Sequence, residues 1–207
     1  MQLHSDAHKE TYDALADEYE SRVEDLIPIT SEAMDYFASY LKPGGRVLDI
    51  GCAVGIAMSI LNQKGFKTTG IEISPKMARF AKERNPDSDV IVGDFTQMRF
   101  DEKFDGALAF AFIHLFPKKE VGQIFVKIKS ILNPGGVALF STTVSAESKE
   151  GWYEKEDFNR KKKRFRKYWM EKELEKALTQ VGFKVLGVKK FVDPIGKTWM
   201  DFIVQNI

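Results

Sequence analysis

The stretch Val47-Leu-Asp-Ile-Gly-Cys-Ala-Val-Gly55 decides how this chain folds. Its apolar beginning, with Arg46 before it, predicts a short strand that is buried on both faces. Gly51 and Gly55 allow a sharp turn after that strand, because glycine adopts backbone conformations that other residues avoid. The apolar pattern then predicts a helix over residues 54–64, whose first N–H groups and partial positive charge suit a carboxylate. The stretch therefore predicts a strand, a glycine turn and a helix.

Predicted strands and helices alternate on both sides of this stretch. We predict strands at 46–50, 67–73, 90–92, 104–110, 137–142, 183–191 and 198–204, and helices at 8–21, 31–41, 54–64, 75–84, 118–132 and 170–181. Such alternation of helices with continuous apolar strands is typical of a mainly parallel sheet covered on both faces. Residues 192–197 are too few for a parallel crossover, so the last two strands pair antiparallel. The predicted fold class is α/β, with a seven-stranded mixed sheet whose last strand is antiparallel.

Helix boundaries are predicted from capping residues. Ser31 is a plausible N-cap of the second helix, and Ser74 caps the fourth helix with Pro75 at its first position. Gly65 suits the residue after the third helix, where a left-handed conformation is common. Residues 143–168 show no clear periodicity, and we expect them to form a long polar segment.

Composition and charge limit the class of protein. A chain of 207 residues that is 43% hydrophobic and 29% charged is typical of a globular domain and excludes disordered and collagen-like classes. The net charge of +1 provides no general attraction to nucleic acid or to a membrane. Cys52 is the only cysteine, which excludes an internal disulfide and a zinc site of several cysteines. No apolar run reaches the roughly 20 residues of a membrane-spanning helix. We expect a cytoplasmic protein without membrane attachment.

We expect a single domain, 1–207, with four segments. Residues 1–42 form helices that cap the domain, 43–142 form its ligand-binding core, 143–169 form a variable lid, and 170–207 add a helix and the antiparallel strand pair.

The ends of the predicted parallel strands carry acidic and aromatic residues. In open α/β sheets, ligands lie beyond the carboxyl ends of the strands, so Asp49, Glu72 and Asp94 should converge on one cleft. Glu72 follows Gly51 by 21 residues and ends the next strand, a position from which an acid accepts hydrogen bonds from ribose hydroxyls. The turn lacks the Gly-x-Gly-x-x-Gly spacing that suits a pyrophosphate, which disfavours a nicotinamide cofactor.

With these residues in place, the sequence closely resembles the class I S-adenosylmethionine-dependent methyltransferases, particularly the small-molecule type, from about Tyr12 to the C-terminus. The resemblance rests on Val47–Gly55, Gly70-Ile-Glu-Ile-Ser74, Gly93-Asp-Phe95, Phe104-Asp105 and Leu132-Asn-Pro-Gly-Gly136. It implies a Rossmann-like fold, S-adenosyl-L-methionine as cofactor with S-adenosyl-L-homocysteine as product, and transfer of a methyl group to a small-molecule acceptor by in-line displacement.

The resemblance also implies which residues hold the cofactor. The loop 49–55 would hold its methionine part, and Glu72 would bind both ribose hydroxyls. Asp94 would accept from the adenine amino group while the Phe95 N–H meets a ring nitrogen, and Ile73 would pack on the adenine face. The cofactor-binding residues implied in this way are Tyr12, Asp49, Gly51, Cys52, Ala53, Gly55, Glu72, Ile73, Asp94, Phe95 and Phe110.

Several of these positions have a second interpretation. Ala53 stands where relatives usually have glycine, and we expect it to be tolerated with a negative φ. Cys52 is interpreted as a small buried filler and not as a nucleophile. Tyr12 and Tyr19 either close over the methionine end of the cofactor or belong to the core.

His114 is the candidate catalytic residue. It lies in the apolar segment 110–117 after the fourth strand, and the pKa of an unperturbed histidine suits proton transfer near neutrality. The alternative is a structural histidine packed against neighbouring helices. We expect no metal site.

The basic run Arg160-Lys-Lys-Lys-Arg-Phe-Arg-Lys167 leaves one alternative function open. With Phe165, Tyr168 and Trp169 as stacking surfaces, it could bind RNA as a methyltransferase substrate, or it could be the solvated face of a lid helix. A third possibility is a non-catalytic module that binds S-adenosylmethionine. We favour a small-molecule acceptor over nucleic acid, and a monomer or homodimer.

Overall fold

A computed structural model describes residues 2–155, 162–193 and 196–207. The helices are α1 (Gln2–Ser21), α2 (Val23–Ala38), α3 (Ile56–Gln63), α4 (Pro75–Arg84), α5 (Lys118–Ile131) and α6 (Glu171–Gln180), with a 3-10 turn, η1, at Ile113–Leu115. The strands are β1 (Arg46–Ile50), β2 (Lys67–Glu72), β3 (Asp89–Val92), β4 (Phe104–Phe110), β5 (Leu132–Thr143), β6 (Lys149–Lys155), β7 (Lys162–Tyr168), β8 (Phe183–Val192) and β9 (Thr198–Asn206).

The main sheet has seven strands in the order β3-β2-β1-β4-β5-β9-β8. The first five strands in this order are parallel, whereas β9 pairs antiparallel with both β5 and β8. The predicted α/β fold, with its antiparallel end, is confirmed. The order reverses direction at β1 and β4, since β2 and β3 lie on one side of β1 and β4 and β5 on the other. A crevice for ligands is expected at such a switch point, beyond the carboxyl end of β1.

Successive residues of the central strand face opposite sides of the sheet, as the pleat requires. Val47 packs in the cluster that contains Phe37 of α2, and Leu48 packs in the cluster that contains Phe125 of α5. All four side chains are fully buried. Helices therefore cover both faces, which explains why the strand sequence is continuously apolar.

The second helix begins earlier than its sequence pattern indicates. α2 starts at Val23 and encloses Pro28, so Ser31 lies inside the helix and its prediction as an N-cap is wrong. The Pro28–Ser31 region looks like a helix start because proline and serine favour first turns. The predicted cap of α4 is confirmed, since Ser74 Oγ accepts from the Met77 N–H at 3.2 Å and Pro75 follows it.

Residues 143–168 differ most from the prediction. The segment is not an irregular polar stretch, because β6 and β7 form an antiparallel hairpin with register pairs from Lys149↔Tyr168 to Lys155↔Lys162. Trp152 and Phe165 face each other across it, with ring centroids 5.9 Å apart. Long charged side chains bury their aliphatic stems while they keep their charge, so a strand rich in lysine and arginine hides its period of two. We call β6 and β7 together the basic hairpin.

Among the helices within the described ranges, none is both long and apolar enough to cross a membrane.

Candidate functional site

Two buried carboxylates stand at the carboxyl ends of neighbouring strands. Asp49 of β1 is 2% exposed, and Glu72, which ends β2, is 5% exposed. Both oxygens of Glu72 accept backbone hydrogen bonds, Oε2 from the Ala53 N–H at 2.9 Å and Oε1 from the Ser74 N–H at 2.8 Å. Glu72 thereby fastens the glycine turn after β1 to the start of α4.

The electrostatics of this pair favour a ligand that brings donors or positive charge. Burial first, and then the nearby charge of Glu72, raise the pKa of Asp49 to about 8. Burial also raises the pKa of Glu72, against the opposing effect of its backbone hydrogen bonds from Ser74 and Ala53. Within the part of the chain that the structure describes, the buried Oδ2 of Asp49 accepts no hydrogen bond.

The glycine turn requires its glycines. Gly51 has φ +76° and Gly55 has φ +79°, in the left-handed region. A Cβ on Gly51 would lie 2.8 Å from Cδ2 of Phe112, so the ring of Phe112 lies directly against the turn. A Cβ on Gly55 would lie 2.6 Å from Nδ2 of Asn85 and 2.9 Å from Cα of Ala81. The turn is therefore packed as tightly from α4 as from the loop after β4.

Ala53 corrects one expectation about this turn. Its φ is +49° and not negative, a conformation that costs an alanine about 1–2 kcal/mol. Its N–H donates to Glu72, and that bond, with the turns at Gly51 and Gly55, holds the residue there. Ala111, in the loop after β4, has φ +55°. Strained residues of this kind cluster at functional sites, and no sequence signal could have identified Ala111.

The end of β3 joins the same region. The Gly93 N–H donates to the Glu72 carbonyl at 2.9 Å. The Asp94 carboxylate accepts from the Thr96 N–H at 2.8 Å and from Gln97 Nε2 at 2.8 Å, and Phe95 is buried. Asp94 thus shapes its own turn. Its predicted contact with an adenine amino group stays a prediction, as does the packing of the half-buried Ile73.

Cys52 has the surroundings of a packing residue. Its side chain is buried, and its Sγ would lie 2.7 Å from a Cβ on Gly70, which accounts for glycine in β2. Burial raises the pKa of the thiol well above its usual value, and the charges of Asp49 and Glu72 raise it further. A thiol in this state is a poor nucleophile.

Helix α1 lies across the turn. Asp13 Oδ1 accepts from Ser74 Oγ at 2.8 Å and from the Lys76 N–H at 3.1 Å. Tyr12 and Tyr19 pack against a small cluster that includes Val54, and their ring centroids are 6.1 Å apart. The two tyrosines therefore belong to the packing around the turn.

The predicted catalytic histidine lies in η1, beside the end of β5. His114 is buried, and its Nδ1 lies 3.0 Å from Oγ1 of Thr142. Phe110 is half-buried and stacks on Trp199 of β9 with centroids 5.8 Å apart. The positions of Thr142 and Phe112 beside the site could not be predicted from the sequence, since both depend on tertiary contacts.

The basic run is turned inward over much of its described length. Arg164, Phe165 and Lys167 of β7 are buried, and so is Trp169. Lys167 Nζ lies 3.0 Å from Oε2 of Glu173, and both side chains are almost fully covered. Phe165 and Trp169 are therefore not stacking surfaces, and the lid-helix interpretation is wrong because the segment is a strand. Arg160 and Lys161 lie outside the described residues.

The sheet order and the buried acids beside the glycine turn place the chain in the Rossmann-like α/β class of ligand-binding domains. Within that class, the chain belongs to the methyltransferase domain family, whose sequence model matches residues 19–188. The resemblance inferred from the sequence is confirmed at this level.

Individual relatives agree with the family. An uncharacterized methyltransferase of Staphylococcus carnosus is 30% identical over 137 residues, which cover 66% of this chain and 65% of that protein. One from Alkaliphilus oremlandii is 33% identical over 123 residues, covering 59% of this chain and 55% of that protein. The matches thus span little more than half of these relatives. The crystal structure of a Burkholderia thailandensis 1,6-didemethyltoxoflavin-N1-methyltransferase, with S-adenosylhomocysteine bound, superposes with a TM-score of 0.79 at 16% identity, covering 99% of this chain and 89% of that one.

Proposed function

We propose that the chain binds S-adenosylmethionine at the carboxyl ends of β1, β2 and β3 and transfers its methyl group to a small molecule. The observation that carries the proposal is the buried pair Asp49 and Glu72 at the glycine turn before α3. Membership of the methyltransferase domain family supports it, as does the product bound in the Burkholderia relative of the same fold.

The residues present fit this cofactor. The buried Oδ2 of Asp49 accepts no hydrogen bond from any described residue, and the methionine ammonium would supply both a donor and a charge. Each oxygen of Glu72 uses one lone pair on the backbone and keeps another for a ribose hydroxyl. The N–H groups at the start of α3 suit the methionine carboxylate. A bound cofactor supplies a methyl group on a sulfonium, which is a good leaving group.

The chain's own contribution is alignment, exclusion of water and movement of one proton. Alignment of two reactants can lower a barrier by about 7–11 kcal/mol. We assign residues 43–142 to cofactor binding, and residues 1–42 with 143–169 to a roof over the acceptor. The roof consists of α1 and the basic hairpin, and α1 contacts the hairpin at β7. His114 takes the proton from an acceptor that must lose one.

The proposal is tested by incubating the protein with S-adenosylmethionine and a metabolite extract, followed by mass spectrometry. We expect conversion of the cofactor to S-adenosylhomocysteine with a matching gain of one methyl group in an acceptor. If the cofactor binds in calorimetry but no extract supports conversion, the chain is a binding module and the proposed activity is wrong.

His114→Asn tests the proton-accepting role. We expect the variant to react about 100-fold more slowly, at the low end of the range for general bases. The wild-type rate should fall as the imidazole is protonated at acidic pH, whereas the variant should lose that limb of its pH–rate profile. Thr142→Val, which removes the partner of Nδ1, should distort the same limb while retaining cofactor affinity. Superimposable profiles for wild type and His114→Asn would assign the histidine to packing alone.

A further inference from the structure

The basic hairpin presents two arginines toward the proposed site. Alternate residues of a strand share a face, so Arg164 and Arg166 of β7 lie on one side and Phe165 and Lys167 on the other. Lys167 is fixed by the buried Glu173, and its Nζ also lies 2.5 Å from Ser148 Oγ. This anchoring to α6 orients the opposite face of β7 toward α1 and η1, with which β7 packs.

The two arginines connect the donor side of the site with the acceptor side. On the donor side, the Arg164 guanidinium donates to the hydroxyl of Tyr12. Burial, and in addition the charge of Glu72, raise the pKa of that hydroxyl. On the acceptor side, Arg166 Nη2 donates to Thr143 Oγ1 at 2.7 Å. The strand that carries both arginines, β7, also packs on η1, which contains His114. The arginines therefore border the space between the cofactor acids and the candidate base.

The described residues around Arg166 do not balance its charge. A guanidinium stays protonated in proteins, and removing it from water is costly unless an anion accompanies it. The titratable groups that face Arg166 are the phenols of Tyr12, Tyr19 and Tyr168, together with the like charge of Arg164. Its Nε is buried and has no acceptor among the residues that the structure describes. Arg164 is itself only 7% exposed, so the pair concentrates positive charge in a covered place.

We propose that Arg164 and Arg166 bind an anionic group of the methyl acceptor, a carboxylate or a phosphate. This inference rests on the proposed function, because it places the anion beside the site of methyl transfer. The planar guanidinium fork offers paired N–H donors that match two oxygens of such a group. We favour the acceptor over the cofactor's own carboxylate as the source of this anion. Val144, directly after β5, pairs with Trp169, directly after β7, and β7 packs on η1. The glycine turn, by contrast, follows β1.

Binding of small anions to the full chain saturated with S-adenosylhomocysteine tests the proposal. The probes are benzoate and phenyl phosphate, with benzyl alcohol as the neutral probe of the same ring, at constant ionic strength in calorimetry. We expect one or both anions to bind and the alcohol not to bind. Arg166→Gln should weaken the anion about 10- to 100-fold, the effect of losing a charged hydrogen bond. Arg166→Lys should weaken it less, since it keeps the charge without the fork.

Lys163→Gln is the matched control. It removes an exposed charge from the same strand, on the face opposite to the two arginines, and should leave anion affinity unchanged. Equal weakening by Lys163→Gln and Arg166→Gln, or no binding of either anion to wild type, overturns the proposal. If Arg166→Gln weakens S-adenosylhomocysteine and spares the anions, the arginines serve the cofactor and the assignment to the acceptor is wrong. If wild type binds the anions through Arg166 but never binds S-adenosylhomocysteine, the proposed function fails separately.

Discussion

Glu72→Ala is expected to raise the dissociation constant for S-adenosylhomocysteine by about 100- to 10,000-fold, from the loss of two hydrogen bonds to a charged group at about 1.5–3 kcal/mol each. The side chain is buried at the end of β2, and each oxygen accepts a backbone hydrogen bond. Titration calorimetry with the purified variant measures the effect. Unchanged affinity in a folded variant would refute the assignment of Glu72 to the ribose.

The same substitution also releases the Ala53 and Ser74 amides, so the variant's fold must be verified by circular dichroism. Glu83→Ala provides the matched control on α4. That carboxylate is more than half exposed and pairs with Arg79 one turn away. It should leave both the dissociation constant and the unfolding midpoint close to those of wild type.

Gly55→Ala is expected to lower the free energy of unfolding by about 2–5 kcal/mol, because left-handed strain adds to overpacking against α4. The added methyl group would meet the Ala81 backbone at 2.9 Å as well as Asn85, and backbone atoms cannot move aside as a flexible side chain can. Urea denaturation followed by circular dichroism measures the loss.

Gly65→Ala separates the two causes of that loss. Gly65 follows the other end of α3 with φ +86°, and no atom of the described residues lies within 4 Å of a Cβ placed there. This variant should lose only about 1–2 kcal/mol, the cost of the left-handed conformation. Equal losses at the two glycines would show that crowding by α4 contributes nothing.

The succession of strands and helices along the chain could be predicted because it depends on local patterns. Continuous apolar strands alternate with helices. The connection at 192–197 is too short for a parallel crossover, so β8 and β9 must pair antiparallel. The first residues of helices were harder to predict, since Pro28 and Ser31, which lie inside α2, are residue types typical of a first turn. The basic hairpin escaped prediction because its buried positions are occupied by arginine and lysine, whose burial depends on partners far along the chain.

The candidate site was predictable where topology alone brings residues together. Asp49 and Glu72 lie at the carboxyl ends of adjacent parallel strands, so strand pairing brings them close together irrespective of the loop conformations. The conformation of Ala53 was not predictable, because it follows from a hydrogen bond to a residue on the next strand. Arg164 and Arg166 lay within a run interpreted as solvated or as RNA-binding, and only the packing of β7 against α1 shows their inward face.

The attachment of α1 bears on how a ligand reaches the buried acids. Because Asp49 and Glu72 are covered, we expect a ligand to enter through a local opening in which α1 separates from α4. Two ion pairs oppose that step, Lys76–Asp17 in an exposed position and Arg84–Glu20 in a more covered one. Salt screens the exposed pair more strongly than the covered one. We therefore expect α1 to separate from α4 more readily as ionic strength rises, so that ligand arrival and departure accelerate together.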